Sequence, residues 1–164
     1  MLTDFRLVQI NLRKGLSPAS AGRAGFEKVN ARRLRQASRV KDIYESLRAA
    51  GQSNVVVCGD FNDHPTSAPL APLLNATDLQ DVSTHPSFDD GGRPGTFGNC
   101  TASQKFDYVL LSPALYAQVT AGAIYRCGAW GGTHGTLWEH YPNMTRAVQA
   151  ASDHSAIYAD LALA

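Results

Sequence analysis

An unbroken β-branched run, Val55-Val56-Val57, stands just behind a long stretch whose apolar residues recur every three or four positions. Leu34, Ala37, Val40, Tyr44 and Leu47 mark one side of an amphipathic helix expected over about Val29 to Ala50, with Gly51 as its stop. Valines in a row, without polar alternation, are expected of a strand buried on both faces. Phe5 to Leu12 is rich in β-formers and reads as an earlier strand. Between it and the helix, the Gly, Ser, Pro and Ala residues of about 15–25 read as a loop. Ser67 is placed to cap a short helix over Ala68–Leu74, with Pro69 and Pro72 in its first turns. Strands are expected at Phe106–Leu111, Val119–Arg126 and Ala156–Leu163, the second weakened by its glycine. Two glycine-rich loops, residues 84–104 and 128–143, separate them, the first with a short extended piece at Thr96-Phe97. The fold class is therefore α/β: a layered mixed β-sheet with flanking helices.

At 164 residues, without a repeat or a linker, residues 1–164 are expected to form a single domain. No apolar run approaches the ~20 residues of a membrane helix, and no charged-then-apolar leader opens the chain. Three scattered cysteines exclude a CxxC metal knuckle and a disulfide scaffold. Cys58 reads as a buried small hydrophobe, and pairing of Cys100 with Cys127 is left open. The net charge of +1 hides an asymmetry: residues 1–50 hold 11 of the 15 Lys and Arg against 4 acids. Arg32, Arg33, Arg35, Arg39 and Lys41 concentrate it. A solvated helix face explains such a cluster, and so does attraction for a polyanion.

Chemistry has three places to reside. Gly59-Asp60-Phe61-Asn62-Asp63 leaves the valine strand at its carboxyl end, where α/β sheets collect ligands. Asp60 there can hold a metal or an attacking water, and Asn62 can offer an amide to an oxyanion; plain turn chemistry is the competing explanation. Phe106-Asp107-Tyr108 puts an acid at the start of an apolar strand, a costly position unless the carboxylate is exposed or partnered. Ser152-Asp153-His154-Ser155 leads into the last strand with a carboxylate beside an imidazole, a pair suited to metal binding and proton transfer. Each motif alone is weak.

Their order and setting are not. Strand–Gly-Asp-Phe-Asn-Asp, then Lys105-Phe106-Asp107-Tyr108-Val109-Leu110-Leu111, then Ala151-Ser152-Asp153-His154 resembles the second half of the endonuclease/exonuclease/phosphatase superfamily, including its bacterial members. Asn30 to Ala37 is similar to the helix that precedes the Gly-Asp-x-Asn strand there. The resemblance implies one half of the DNase I-like four-layer α/β sandwich and a phosphoesterase, either a nuclease or a phosphatase. It assigns catalytic roles to Asp60, Asn62, Asp107 and His154, and metal binding to Asp60 and Asp153. Asn62 and Asn11 would contact substrate, and Asp107 would orient the His154 ring. Mg²⁺, or Mn²⁺ in its place, is the implied cofactor.

The family's first half supplies an Asn, a metal-binding Glu and, on the strand opening the second half, a catalytic His. Here the first histidine is His64, the first glutamate is Glu27, and Asn11 stands where that His is expected. The chain is thus expected to be a C-terminal half, with weakly bound metal, low turnover and an apolar sheet face left uncovered. That face would pair with a second copy or with an N-terminal half. Candidate substrates are nucleic acid, a phospholipid headgroup or a sugar phosphate. A non-catalytic binding or assembly module retaining the fold is the alternative.

Overall fold

The computed structural model describes residues 6–12 and 18–163, leaving the side chains of residues 10, 11 and 18–23 outside that description. Strand β1 (Arg6–Asn11) leads to helix α1 (Pro18–Ala49), which returns the chain to strand β2 (Val55–Asp60). Strands β1 and β2 are parallel, with Asn11 opposite Asp60. Then come α2 (Ala71–Leu74), β3 (Gln80–Asp81), β4 (Phe88–Asp89), β5 (Asp107–Leu111) and α3 (Pro113–Tyr116). Strands β6 (Val119–Tyr125) and β7 (Ala156–Leu161) complete the described chain. They form two mixed sheets, β1-β2-β5-β3 and β4-β6-β7.

The valine run works as its composition demands. Val55 and Val57 pack with Ala37, Val40 and Tyr44 of α1, together with Phe61, Tyr108 and Leu110. Val56, pointing the other way, joins Leu111, Val82 and Val119, against which Ile157, Ala159 and Leu161 of β7 pack. One face of the first sheet is thus covered by the helix and the other by the second sheet. Among the described residues, no helix is long and apolar enough to cross a membrane.

Two expectations about α1 need correction. Its helix begins at Pro18, so most of the expected 15–25 loop is helical. Proline suits a first turn, Ala19, Ala21 and Ala24 favour helix, and Gly22 and Gly25 cost only about 1 kcal/mol each, which weakens a helix without ending it. Leu34, expected on the core stripe, is exposed, and Arg33 takes the buried position, where it reaches Asp63. The stop is as expected: Gly51 adopts φ 86°, and bonds from Gly51 N–H to Arg48 O and from Gln52 N–H to Leu47 O close the helix. Ser67 precedes a 3₁₀ turn over Ala68–Leu70 that continues into α2, but its side chain makes no capping hydrogen bond. The glycine in β6 has a packing reason. A Cβ on Gly122 would lie 2.7 Å from the Phe88 ring and 3.0 Å from Tyr158 O.

Candidate active site

The register of the first sheet builds the site. Strands β2 and β5 are antiparallel with Asp60 directly opposite Asp107, so the last residue of one and the first of the other lie side by side at one sheet end. Beyond Asp60 the chain turns sharply through Asn62, a buried residue at φ 52°. Left-handed backbone is uncommon outside glycine, and asparagine tolerates it best. Here the turn is held by its own polar groups. Asn62 N–H donates to Asp60 Oδ1 (2.8 Å), and Asn62 Nδ2 donates to Asp60 Oδ2 (2.5 Å) and Leu12 O (2.7 Å). Leu12 N–H donates in turn to Asp60 O, tying the end of β1 to the end of β2.

His154 arrives from the loop before β7. Its Nδ1 lies 2.7 Å from Asp107 Oδ2, its ring is 4.9 Å from that of Phe97, and Phe97 pairs with it in an isolated antiparallel bridge. With Nδ1 engaged, Nε2 makes no hydrogen bond among the described residues. Asp60, Asp107 and His154 each offer a ligand atom within 4.8 Å of the others. Burial raises the Asp60 carboxyl above its ordinary value; the Asn62 amide opposes this, Asp107 adds to it and His154 offsets it. Such a site favours an added positive charge. The carboxylate oxygens keep lone pairs beyond those the N–H groups use, so the donor set suits a hard divalent cation that retains several waters.

Other polar residues fall differently. Asp153 is exposed and not one of that trio; its carbonyl accepts from Gly98 N–H. Asn11 pairs with Asp60 through the backbone, but its side chain lies outside the described part. His64 is a turn residue bonded to Thr66 Oγ1, and His140 stacks on Trp130. All three cysteines are free thiols. Arg32, Arg35 and Arg39 are exposed, whereas Arg33 is paired with Asp63 beside the Asn62 turn.

Two supporting residues take no role from the motifs. Thr96, wholly buried, accepts through Oγ1 from the N–H groups of Phe106 and Asp107, and through its carbonyl from Ser155 N–H. It therefore clips the loop carrying His154 to the strand carrying Asp107. Lys105, 5% exposed, bonds Asp81 Oδ2 and Asp107 O, and its ammonium sits 4.4 Å over the Tyr108 ring. In the sequence Thr96 shows only as part of a short extended piece and Lys105 only as the first residue of the Lys-Phe-Asp-Tyr motif.

Known proteins share this fold. A mannosyl-6-phosphatase from Bacteroides thetaiotaomicron matches with a TM-score of 0.58 and 17% identity, covering 81% of this chain and 46% of its own. A 3′ phosphatase from Neisseria, solved with a product DNA hairpin, matches at 0.60 and 17%, covering 96% of this chain and 61% of its own. An endonuclease/exonuclease/phosphatase family protein from Bacteroides thetaiotaomicron matches at 0.54 and 18%, covering 79% and 44%. The chain thus spans 44–61% of the length of these structures, and at such identities the likeness is one of fold. No curated protein matches by sequence. The family model for endonucleases, exonucleases and phosphatases matches residues 9–154, a span that contains Asp60, Asn62, Asp107, Asp153 and His154. With most of its length inside that match and the DNase I-like α/β layers around its acidic cluster, the chain belongs to the endonuclease/exonuclease/phosphatase family.

Proposed function

We propose that this chain carries the phosphoryl-handling centre of a divalent-metal-dependent phosphoesterase, and that the observation carrying this reading is the meeting of Asp60, Asp107 and His154 at one sheet end. Asp60, in that cluster, would hold the cation, Mg²⁺ or Mn²⁺, which when bound neutralises phosphate oxygens and acidifies a water; Asp153, exposed and outside the trio, is a further ligand on the family resemblance alone. Asp60 also positions the attacking water. Asn62 donates its backbone N–H and one Nδ2 hydrogen to the Asp60 carboxylate and its other Nδ2 hydrogen to Leu12 O, so its part in the site is to hold Asp60 in place rather than to offer a free donor to phosphate. Asp107 accepts from His154 Nδ1, which fixes the tautomer and leaves Nε2 to donate to an oxygen of the scissile phosphate or to take a proton from the attacking water. Asn11 would supply a further substrate contact. With so few carboxylate donors, metal binding by this chain is weak and turnover low.

The test is hydrolysis of bis-p-nitrophenyl phosphate and of plasmid DNA with Mg²⁺ or Mn²⁺, beside Asp60→Ala and His154→Ala. Metal-dependent hydrolysis lost in both variants supports the proposal. Equal rates in all three proteins would leave a binding module that keeps the fold without turnover.

A further inference from the structure

We infer that the cleft on the far side of His154 is a subsite for a planar ring, and that the phosphate esters this chain selects carry an aromatic or heteroaromatic group on their alcohol half. The inference rests on the phosphoesterase reading above. The cleft has a volume of about 270 Å³, with His154 as one wall and Tyr125, Tyr141, Ala129, Ala151 and Ala156 among the others. That volume falls just below the roughly 300–1,000 Å³ of drug-sized ligand pockets, which suits a single ring system and excludes the body of a polymer.

Its walls are assembled without a ligand. Ala151 N–H donates to Gly128 O (2.9 Å), Tyr141 N–H to Cys127 O (3.1 Å), and Trp138 Nε1 to Ala129 O (2.9 Å). Ala129 also bridges to Ser152, so the aromatic-rich loop is fastened to the segment that delivers His154. The two tyrosines spend their hydroxyls on each other, at 2.6 Å, and Ser152 Oγ accepts from His154 N–H. What faces the cleft is therefore alanine methyls and tyrosine ring surface, with few polar groups unengaged. A polyol would bring hydroxyls that find few partners, whereas a flat ring is matched by ring faces and methyls. His154 separates the two compartments: Nδ1 faces Asp107, and the ring also borders the cleft. A ring seated in the cleft thus lies against the residue whose Nδ1 meets Asp107, and the proposal puts the ester link at that imidazole.

Phenylphosphonate and methylphosphonate, neither hydrolysable, distinguish the alternatives when titrated into the chain with Mg²⁺ and followed by amide NMR. Phenol serves as the ring without the phosphorus. Phenylphosphonate is expected to bind about tenfold more tightly than methylphosphonate, the scale of one aromatic contact. It should shift Ala129, Ala151 and Ala156 as phenol does. Ala151→Leu, which fills the cleft from an exposed position, and Tyr141→Ala should each abolish that preference while leaving methylphosphonate binding unchanged. Equal affinity of the two phosphonates in the parent chain overturns the ring subsite and spares the phosphoesterase reading. Phenol filling the cleft while neither phosphonate perturbs Asp60, Asp107 or His154 overturns the phosphoesterase reading, and the substrate assignment with it.

Discussion

At Asp60, burial holds the carboxyl above its ordinary value, and the Asp107 carboxylate pushes the same way against the Asn62 amide and His154. A carboxyl with a higher pKa folded than unfolded binds more protons in the folded state. Its contribution to stability is therefore full in acid and is lost as pH rises from the ordinary carboxylate range through the raised folded value. Measured by urea unfolding, the stability difference between Asp60→Asn and the parent should move in favour of the variant as pH rises across that window. Added Mg²⁺ should shrink this trend in the parent alone, because a bound cation offsets the charge. A flat difference across pH would show that Asp60 ionises as freely folded as unfolded. At Thr96, replacement by valine keeps shape and removes the acceptor of two N–H groups. A loss of roughly 1–3 kcal/mol in urea unfolding is expected from stranding those donors. Asp60, Asp107 and His154 were legible in the sequence because each sits in a polar motif at a strand end. Thr96 was not, since its role exists only once residues 96, 107 and 155 become neighbours.

Short strands depend on what pins them. Strand β3 has two residues and joins its sheet through Gln80 opposite Leu111 and Asp81 opposite Leu110. Lys105 adds the buried pair with Asp81 and a bond to Asp107 O. Lys105→Met is expected to cost about 3–5 kcal/mol, because the Asp81 charge loses its partner in a largely buried setting. Arginine at the same position should recover part of that, and chemical denaturation of both variants checks it. Element legibility followed burial. The valine strand, the strands at 106–111 and 119–126, and the closing strand were readable because their side chains meet apolar layers. The beginning of α1 was not, because glycine and proline read as loop wherever packing is not yet known. Strand β3 was missed for the opposite reason: two polar residues pair only because β5 offers an edge.

Over the whole molecule, the half-fold implied by sequence leaves a surface to account for. Tyr125 and Tyr158 lie on one face of the second sheet, by the register that sets Ala156 opposite the first and Ala123 opposite the second, and they are 44% and 47% exposed. Strand β7 pairs with β6 alone among the described strands. Concentration-dependent self-association through this face is expected in sedimentation, and Tyr158→Lys should weaken it. A compact monomer at high concentration would overturn that expectation. The same architecture ties function to the seam between layers. Two members of the acidic cluster belong to the sheet packed on α1, while the imidazole is delivered by the approach to β7. Parting of the layers loads the Asp107–His154 bond and the Thr96 clip together, while strand pairing within each sheet stays intact. On the proposed phosphoesterase reading, hydrolysis in rising urea should fade at concentrations where circular dichroism still reports an intact protein, the seam giving way well ahead of melting.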